Sequence, residues 1–572
     1  MNINLIKQAT GVSKADLVLK NCKIVNVFTR TIETEDIAIS NGIIVGVGKY
    51  QGNKEVDLSG FFISPGFIDG HCHIESSMVT PQEYAKIVIP KGTTTVIADC
   101  HEIANVCGKD GVKFMLDSAE KSPLDVFMMI PSCVPATSFE TSGATLNAKD
   151  IEELKSLKNV IGLGEMMNYP GVINADKSVY DKLDVFKNQM IDGHAPEVFG
   201  NDLNAYILAG VKTDHECTTA LELEDKVKRG MYIHLREGSQ TRNVIDLLPG
   251  VKDAYLSRLL FCTDDIHPND ILKDGHINYN INLAINHGLD PIKAITMATI
   301  NTANCYNLEY YGAIAPGYFA DLVIFEDLNN IQPKYVYKKG EMVAYDNKPL
   351  FETQKHIDES TLNTINFDIN NFKFKYDLKF DMVNIIKLVK NNIITRLSVE
   401  EVKLIDGDVL LDKDRDLLKL FIIERHHNTG NIGKALLSGY GLKNAAIALS
   451  IAHDSHNIVL VSDNETDSLV ALKKIKEMTG GIVLVSKGKI LGSLQLEVGG
   501  IMTNGSAIKV RDDLENLEKQ IRNLGVSEEI VDPFLSLAFL SLPVVPEIKV
   551  TDLGLFDVRN FKLITLEAGD TQ

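Results

Sequence analysis

The chain has 572 residues and a net charge of -19 at pH 7, with 45% hydrophobic and 24% charged residues. This length suits roughly two to four domains, and the globular composition excludes a disordered or fibrous protein. The negative charge disfavours nucleic acid as a partner, because no cluster of lysine and arginine opposes it.

The amino terminus lacks the charged-then-apolar pattern of a secretory signal, and no apolar run is long enough to span a membrane. The eight cysteines show no CxxC spacing, which fits reduced thiols better than a disulfide framework. We therefore expect a cytoplasmic protein that has no membrane partner.

The first predicted elements are strands. Residues 15–56 alternate between apolar and polar side chains, and Asn41-Gly42 interrupts the pattern as a hairpin turn would. From residue 65 to 307 short apolar strands alternate with helical stretches. Eight such units over roughly 240 residues predict an α/β fold of the (β/α)8 TIM-like barrel type.

The pattern returns to strands at 308–350, which predicts that the barrel at 65–307 is inserted in a small β-sandwich domain made of 1–64 and 308–350. A polar linker follows, and residues 370–572 form a separate α+β domain. Within that domain we predict a helix at "LKNAAIALSIA", a strand at "NIVLVSD", a helix at "TDSLVALKKIKEM" and a hairpin at "GGIVLVSKGKILGSLQLE".

The stretch "SPGFIDGHCHIESSM" places His71 and His73 one residue apart, directly after an apolar strand. Residues i and i+2 of a strand point to the same side, so the two imidazoles can converge on one point. A metal ion at that point would explain the pair.

Further polar residues follow the later strands of the predicted barrel. Taken singly, a strand-end histidine is more often a hydrogen-bonded structural residue, Glu165 could be a solvated carboxylate, and Asp264 could cap a helix. Taken together at one end of a barrel, they predict a binuclear metal site. The set is His71, His73, Asp99, His101, Glu102, Glu165, His194, His215 and Asp264.

Several segments carry a resemblance to a known family. "PGFIDGHCHIESSM", "ADCHEIANVCG", "GLGEMMNYPGV", "DGHAP", "TDHE", "LREGS" and "FCTDDIHP" are similar to the adenine deaminases of the metal-dependent amidohydrolase superfamily, as is "GKALLSGYGLKNAAIALSIAHDSHNIVLVSDN" in the last third. The resemblance implies hydrolysis of adenine to hypoxanthine and ammonia with two divalent transition metal ions, manganese or iron. It implies six ligands: His71, His73 and Asp264 at the first metal, His194 and His215 at the second, and Glu165 bridging the two.

The same resemblance implies catalytic roles. A metal-bridged hydroxide would attack C6 of adenine, and Asp264 would take its proton as general base. Glu102 would protonate a ring nitrogen, provided that burial raises its pKa. His101 and Asp99 would orient Glu102 or contact the purine.

Two histidine-containing segments of the third domain leave alternatives open. "AHDSHNI" is either a polar turn capped by Asp454 and Ser455, or a lid or extra metal site in which His453 or His456 reaches over the barrel mouth. For "ERHHNTG" the prediction is a solvated loop.

Two other functions fit the barrel. A cyclic-amide hydrolase such as a dihydroorotase or hydantoinase would use the same fold, but such relatives generally have lysine where this chain has Glu165. A non-catalytic scaffold would have lost ligands that are all present here. We expect adenine as a small-molecule substrate and a homo-oligomeric assembly.

Overall fold

The computed structural model describes residues 3–390, 392–412 and 414–568. Its first elements are α1 Ile3–Ala9, β1 Ala15–Asn26, β2 Thr31–Ser40, β3 Ile43–Gly48, β4 Gly52–Asp57 and β5 Phe62–Pro65. Asn41 and Gly42 join β2 to β3 with φ values of 52° and 75°. Two consecutive positive φ angles match the twist of a hairpin, so the predicted turn is confirmed.

Eight strands follow in parallel orientation: β6 Phe67–Cys72, β7 Thr93–Asp99, β8 Asp125–Ile130, β9 Val160–Met166, β10 Met190–Gly193, β11 Thr213–Asp214, β12 Tyr232–Arg236 and β13 Leu259–Cys262. β6–β10 form one sheet and β11–β13 another. Backbone bonds from Lys212 N to Ile191 O and from Asp264 N to His71 O, each 3.0 Å, link the two sheets. We call β6–β13 the ring.

Helices lie between and after the ring strands, as the alternating pattern predicts. They are α2 Pro81–Val88, α3 His101–Ala119, α4 Ala148–Lys155, α5 Tyr169–Ile173, α6 Lys177–Val185, α7 Gly200–Leu208, α8 Ala220–Lys228, α9 Val244–Leu247, α10 Pro268–Lys273, α11 Ile277–Asn286, α12 Pro291–Thr296 and α13 Thr302–Cys305. Strand β7 is buried at every position, as expected for a parallel strand that is covered on both faces.

The chain then returns to its first sheet through β14 Leu322–Phe325, β15 Tyr335–Lys338, β16 Glu341–Tyr345 and β17 Lys348–Pro349. β14 pairs antiparallel with β5, giving one nine-stranded sheet. This differs from the two-sheet sandwich that the sequence predicted. One sheet forms because β1 joins the two groups of strands: its first half pairs with β4 and its second half pairs with β5. Between these halves, at Leu19 and Cys22, the pairing of β1 with β2 shifts its register.

The last part of the chain forms an eight-stranded sheet, a two-stranded sheet and a three-stranded sheet. The strands are β18 Met382–Leu388, β19 Thr395–Glu401, β20 Leu404–Ile405, β21 Asp408–Val409, β22 Leu417–Ile423, β23 Ile432–Ser438, β24 Ala445–Leu449, β25 Ile458–Ser462, β26 Gly481–Ser486, β27 Lys489–Gln495, β28 Ile548–Thr551, β29 Gly554–Asp557 and β30 Lys562–Ile564. β20 and β21 form the two-stranded sheet, and β28–β30 form the three-stranded sheet. The helices are α14 Glu465–Glu477, α15 Ala507–Asn523 and α16 Pro533–Ala538.

These elements confirm the strand, helix and hairpin predicted at β25, α14 and β26–β27, but the helix predicted at "LKNAAIALSIA" is wrong. That segment contains β24, which lies between β25 and β26 and is buried at all five positions. Alanine favours helices in isolation, but pairing on both sides and burial on both faces outweigh that preference.

The carboxy-terminal segment packs directly on the ring. Thr503 N donates to Met78 O at 2.9 Å, and Asn457 Nδ2 donates to Thr141 O at 2.8 Å. Buried apolar residues of both parts belong to one continuous core. The loops that follow the ring strands are therefore covered by the last third of the chain.

All eight cysteines are free, as their spacing predicts. Among the described helices, none combines the length and the apolar character that crossing a bilayer requires.

Candidate metal centre

The two histidines at the end of β6 converge as the strand geometry predicts. The Nε2 atoms of His71 and His73 lie 3.2 Å apart, and Asp264 Oδ1 lies 3.1 Å from His73 Nε2. The Nδ1 atom of His73 is 2.9 Å from the backbone oxygen of Asp99. A carbonyl oxygen only accepts, so Nδ1 carries a proton, and Nε2 is the nitrogen that a metal ion would bind.

Glu165, at the end of β9, lies at the centre of the site. Its Oε1 is 3.3 Å from His73 Nε2, and its Oε2 is 2.8 Å from His194 Nδ1 and 3.3 Å from His215 Nε2. Burial opposes its charge, but hydrogen bonds from His194 and His215 outweigh burial and hold the pKa of Glu165 well below its usual range. Glu165 is therefore a buried carboxylate that contacts three histidines of the set, His73, His194 and His215.

Asp99, a predicted substrate contact, also holds the backbone of two neighbouring residues in place. Its Oδ2 accepts the Glu165 N–H at 2.8 Å and its Oδ1 accepts the His101 N–H at 3.1 Å. A Cβ at Gly164 would lie 2.0 Å from Oδ2 of Asp99, which explains the glycine before Glu165. The geometry makes Asp99 a support for its neighbours.

Asp264 follows β13 and is fixed by groups to which the sequence assigned no role. Its backbone has φ 59°, and Arg236 Nη1 donates to its Oδ2 at 2.7 Å. Arg236 also pairs with Glu216, whose Oε1 is 3.3 Å from His215 Nε2. Burial opposes the charge of Asp264, but the Arg236 guanidinium together with His73 and His215 outweighs burial and holds the pKa of this carboxyl well below its usual range. Arg236 is the last residue of β12, in "LREGS", and Glu216 lies just after β11, in "TDHE". Their positions at strand ends could have revealed both.

A buried lysine supports the loops of the second histidine pair. Lys226 Nζ donates to Ala195 O at 2.6 Å, to Asp214 Oδ2 at 2.8 Å and to Glu222 Oε1 at 2.7 Å. Ala195 follows His194 in the chain, and Asp214 precedes His215. The Lys226 ammonium group therefore fixes the loops that carry both histidines.

We expect Lys226→Met to destabilise the fold by about 3–5 kcal/mol, because it leaves buried carboxylates without their cation. Thermal unfolding of the variant checks this, with the exposed Lys228→Met on the same helix as the control. If Lys226→Met melted at the same temperature as the control, the Lys226 ammonium group would not stabilise the fold.

Glu102, at the start of α3, contacts the carboxy-terminal segment. Its Oε1 pairs with His453 Nδ1 and its Oε2 with His456 Nε2, and all three side chains are buried. As the predicted acid, Glu102 is expected to have a pKa that burial raises. Burial does act in that direction, but His453, His456 and His101 outweigh it and hold the pKa well below the usual range. The expected raised pKa is therefore wrong, because three imidazoles surround the carboxylate.

His101 connects this acid to the centre of the site. Its Nδ1 lies 3.3 Å from Glu165 Oε1, and its Nε2 lies 3.5 Å from Glu102 Oε1. The side chains of the predicted set are thus brought together at one end of the ring.

A cavity of about 790 Å³ opens beside these groups. Its lining from the ring includes His73, Glu165 and Asp264, and its lining from the carboxy-terminal segment includes His453 and Phe539. His453 of the segment "AHDSHNI" therefore lies on the wall of this cavity, together with side chains of the ring.

The arrangement of donors fits divalent metal. Within 4.8 Å, single donor atoms of His71, His73 and Glu165 form one group, and those of Glu165, His194 and His215 form a second. Nitrogen and carboxylate donors of this kind suit first-row transition metals. A ring of parallel strands with such a cluster at the strand ends defines a metal-dependent hydrolase.

Comparison with known proteins identifies the family. The amidohydrolase family matches residues 62–343, and the adenine deaminase C-terminal domain matches 392–562. Adenine deaminase 2 of Carboxydothermus hydrogenoformans is 47% identical over 98% of both chains, and adenine deaminase of Clostridium acetobutylicum is 48% identical over 98% of this chain and 99% of its own. A crystal structure of an adenine deaminase covers 57% of this chain and 99% of its own, with 19% identity and a TM-score of 0.44. The chain belongs to the adenine deaminase family, and its amidohydrolase part implies a divalent metal.

Proposed function

We propose that this chain catalyses the hydrolytic deamination of adenine. In this reaction water supplies the oxygen that bonds to C6, the C6–N bond breaks, and hypoxanthine and ammonia are released. The observation that carries the proposal is the central position of Glu165 among His73, His194 and His215. Relatives named adenine deaminase that align over nearly the whole chain support adenine in preference to a cyclic amide.

We propose that the site holds two divalent ions, manganese or iron, because two donor groups overlap at Glu165. When bound, such ions lower the pKa of water toward about 7 and so make a nucleophile available at neutral pH. The ligands would be His71, His73 and Asp264 on one side, His194 and His215 on the other, and Glu165 between them.

The remaining chemistry falls to the side chains around the cluster. Asp264 would take a proton from the attacking water and return it to the leaving amine. Arg236, bonded to Asp264 Oδ2, keeps the other oxygen facing the histidines. Glu102, on the cavity wall, would deliver a proton to a ring nitrogen, with His101 between it and Glu165.

The domain division follows the same proposal. We assign a (β/α)8 barrel to residues 65–307, inserted in a β domain formed by 1–64 and 308–350, and an α+β domain to 370–572. The pairing of β5 with β14 supports the insertion. A homo-oligomer in the cytoplasm remains our expectation.

The test is turnover by metal-loaded protein with adenine, adenosine, cytosine and dihydroorotate, with ammonia and product measured. We expect ammonia and hypoxanthine from adenine only. Ammonia from adenosine but not adenine would contradict the substrate, and ring opening of dihydroorotate would favour the cyclic-amide alternative.

A further inference from the structure

Two histidines of the carboxy-terminal segment contact Glu102, the acid of the proposed mechanism. Glu102 has both oxygens engaged, one by His453 and the other by His456. A carboxylate has about four lone-pair positions, so these contacts leave positions free on the cavity side. The site is therefore built from both the ring and the last third of the chain.

The hydrogen bonds of His456 fix its tautomer. Its Nδ1 accepts the N–H of Ala452 at 3.1 Å, so the proton of the neutral ring must be on Nε2, which faces Glu102. The fully buried Arg425 donates to the backbone oxygen of His456 and holds this turn. His456 is thus a rigid donor. Its pKa is lowered to about 4, since burial outweighs the attraction of Glu102.

His453 is placed differently. Its ring stacks on Phe539, with centroids 4.6 Å apart, and its Nδ1 faces Glu102. Within the described residues no hydrogen-bond partner is found for its Nε2, and the ring lines the large cavity. This histidine can therefore exchange a proton with the cavity at one nitrogen and with Glu102 at the other.

The charges around His453 favour its protonated form. Three carboxylates, Glu102, Asp265 and Asp454, face it, whereas His456 and His101 are the neighbouring imidazoles. Burial alone would lower the pKa of His453, but the Glu102 carboxylate outweighs burial and raises it to about 9.

We infer that the acid of this site is a pair, in which His453 carries the proton that Glu102 passes to the substrate, while His456 is a positioning residue that orients the carboxylate. The inference rests on the proposed function. As the C6–O bond forms, the π electron pair of the C6–N double bond in the ring moves to the ring nitrogen, which takes a proton from Glu102, and the His453 Nδ1 proton moves to Glu102. When ammonia leaves, the proton of the C6–OH group passes to water in the cavity, and the imidazole takes a proton from that water, so that no net proton is consumed.

Four substitutions separate the two roles, with kcat, KM and bound metal measured for each. We expect His453→Asn, which keeps a donor near Nδ1 but cannot carry the proton, to lower kcat about 100-fold or more with metal content and KM little changed. His456→Leu should lower kcat similarly, whereas His456→Gln, which restores a donor, should stay within about tenfold of wild type. The control is His427→Gln, because His427 is exposed and its ring bonds to Ser142 O across the same interface without contacting Glu102.

A double-mutant cycle tests whether the histidine acts through the carboxylate. Glu102→Gln with His453→Asn should be no slower than Glu102→Gln alone, within about threefold, because residues that act as a unit are not additive. The inference would be overturned if the kcat losses of the two single variants multiplied in the double variant, or if kcat of His453→Asn stayed near wild type.

A measurement without turnover keeps this inference separate from the proposed function. The measurement is an NMR spectrum of ¹⁵N-histidine-labelled wild type at pH 7, in which the His453 signals are assigned from their absence in His453→Asn. We expect His453 to carry protons on both ring nitrogens and His456 to carry a proton on Nε2 alone. A neutral His453 would overturn the pair. If these signals are found and adenine is not turned over, only the proposed function fails.

Discussion

Replacing Glu165 with alanine is expected to abolish activity on adenine, with kcat/KM lowered by more than about 10⁴-fold. This exceeds the usual cost of losing a general acid or base, because the variant loses its means of making a nucleophile as well. The carboxylate touches His73, His194 and His215, and without it these imidazoles have no shared anion. Elemental analysis should find less than half of the wild-type metal.

The matched control is Glu237→Gln, at another buried glutamate directly after a ring strand. Glu237 Oε2 accepts the N–H of Val244, and this residue is not one of the six ligands proposed above. Its metal content and kcat should stay near wild type. If Glu165→Ala retained full metal and turnover, the central position of this carboxylate would have no functional meaning.

The second large effect is expected for Asp264→Asn. The amide preserves shape but cannot take a proton, so kcat should fall by about 10²–10⁴-fold. The loss should appear in kcat rather than KM, because the proton is transferred only during the reaction. Steady-state kinetics on adenine with metal-loaded protein measures this.

Asp270→Asn serves as the comparison for this change, because Asp270 lies on α10 and bonds to Ser239. Its kcat should remain close to wild type. A kcat for Asp264→Asn within tenfold of wild type would rule out the proton-transfer role. Bound metal must be measured on both variants, since Asp264 is also a ligand candidate.

Much of the site could be predicted because strand geometry is local. The spacing of His71 and His73 follows from the period of a strand, and the shared edge of parallel strands brings Glu165 and Asp264 to the same place. The roles of Arg236 and Asp99 depend on which neighbour each side chain reaches. The sequence alone does not state those distances.

The last third of the chain was harder to predict because its behaviour depends on packing between distant segments. "ERHHNTG" is polar and was expected to be a solvated loop, yet Glu424 is 1% exposed and Arg425 is fully buried. Glu424 accepts backbone N–H groups, including those of His427 and Thr429 at 2.6 and 2.8 Å. The lowered pKa of Glu102 has the same origin, since its histidine neighbours are some 350 positions away.

The pairing of β5 with β14 has a consequence for synthesis on the ribosome. β5 ends at Pro65 and β14 begins at Leu322, so at 5–20 residues per second the partner strand emerges roughly 13–50 s later. During that interval the nascent chain exposes an open strand edge, which is a site for unwanted association. We therefore expect the newly made protein to depend on chaperones more than its finished nine-stranded sheet would indicate.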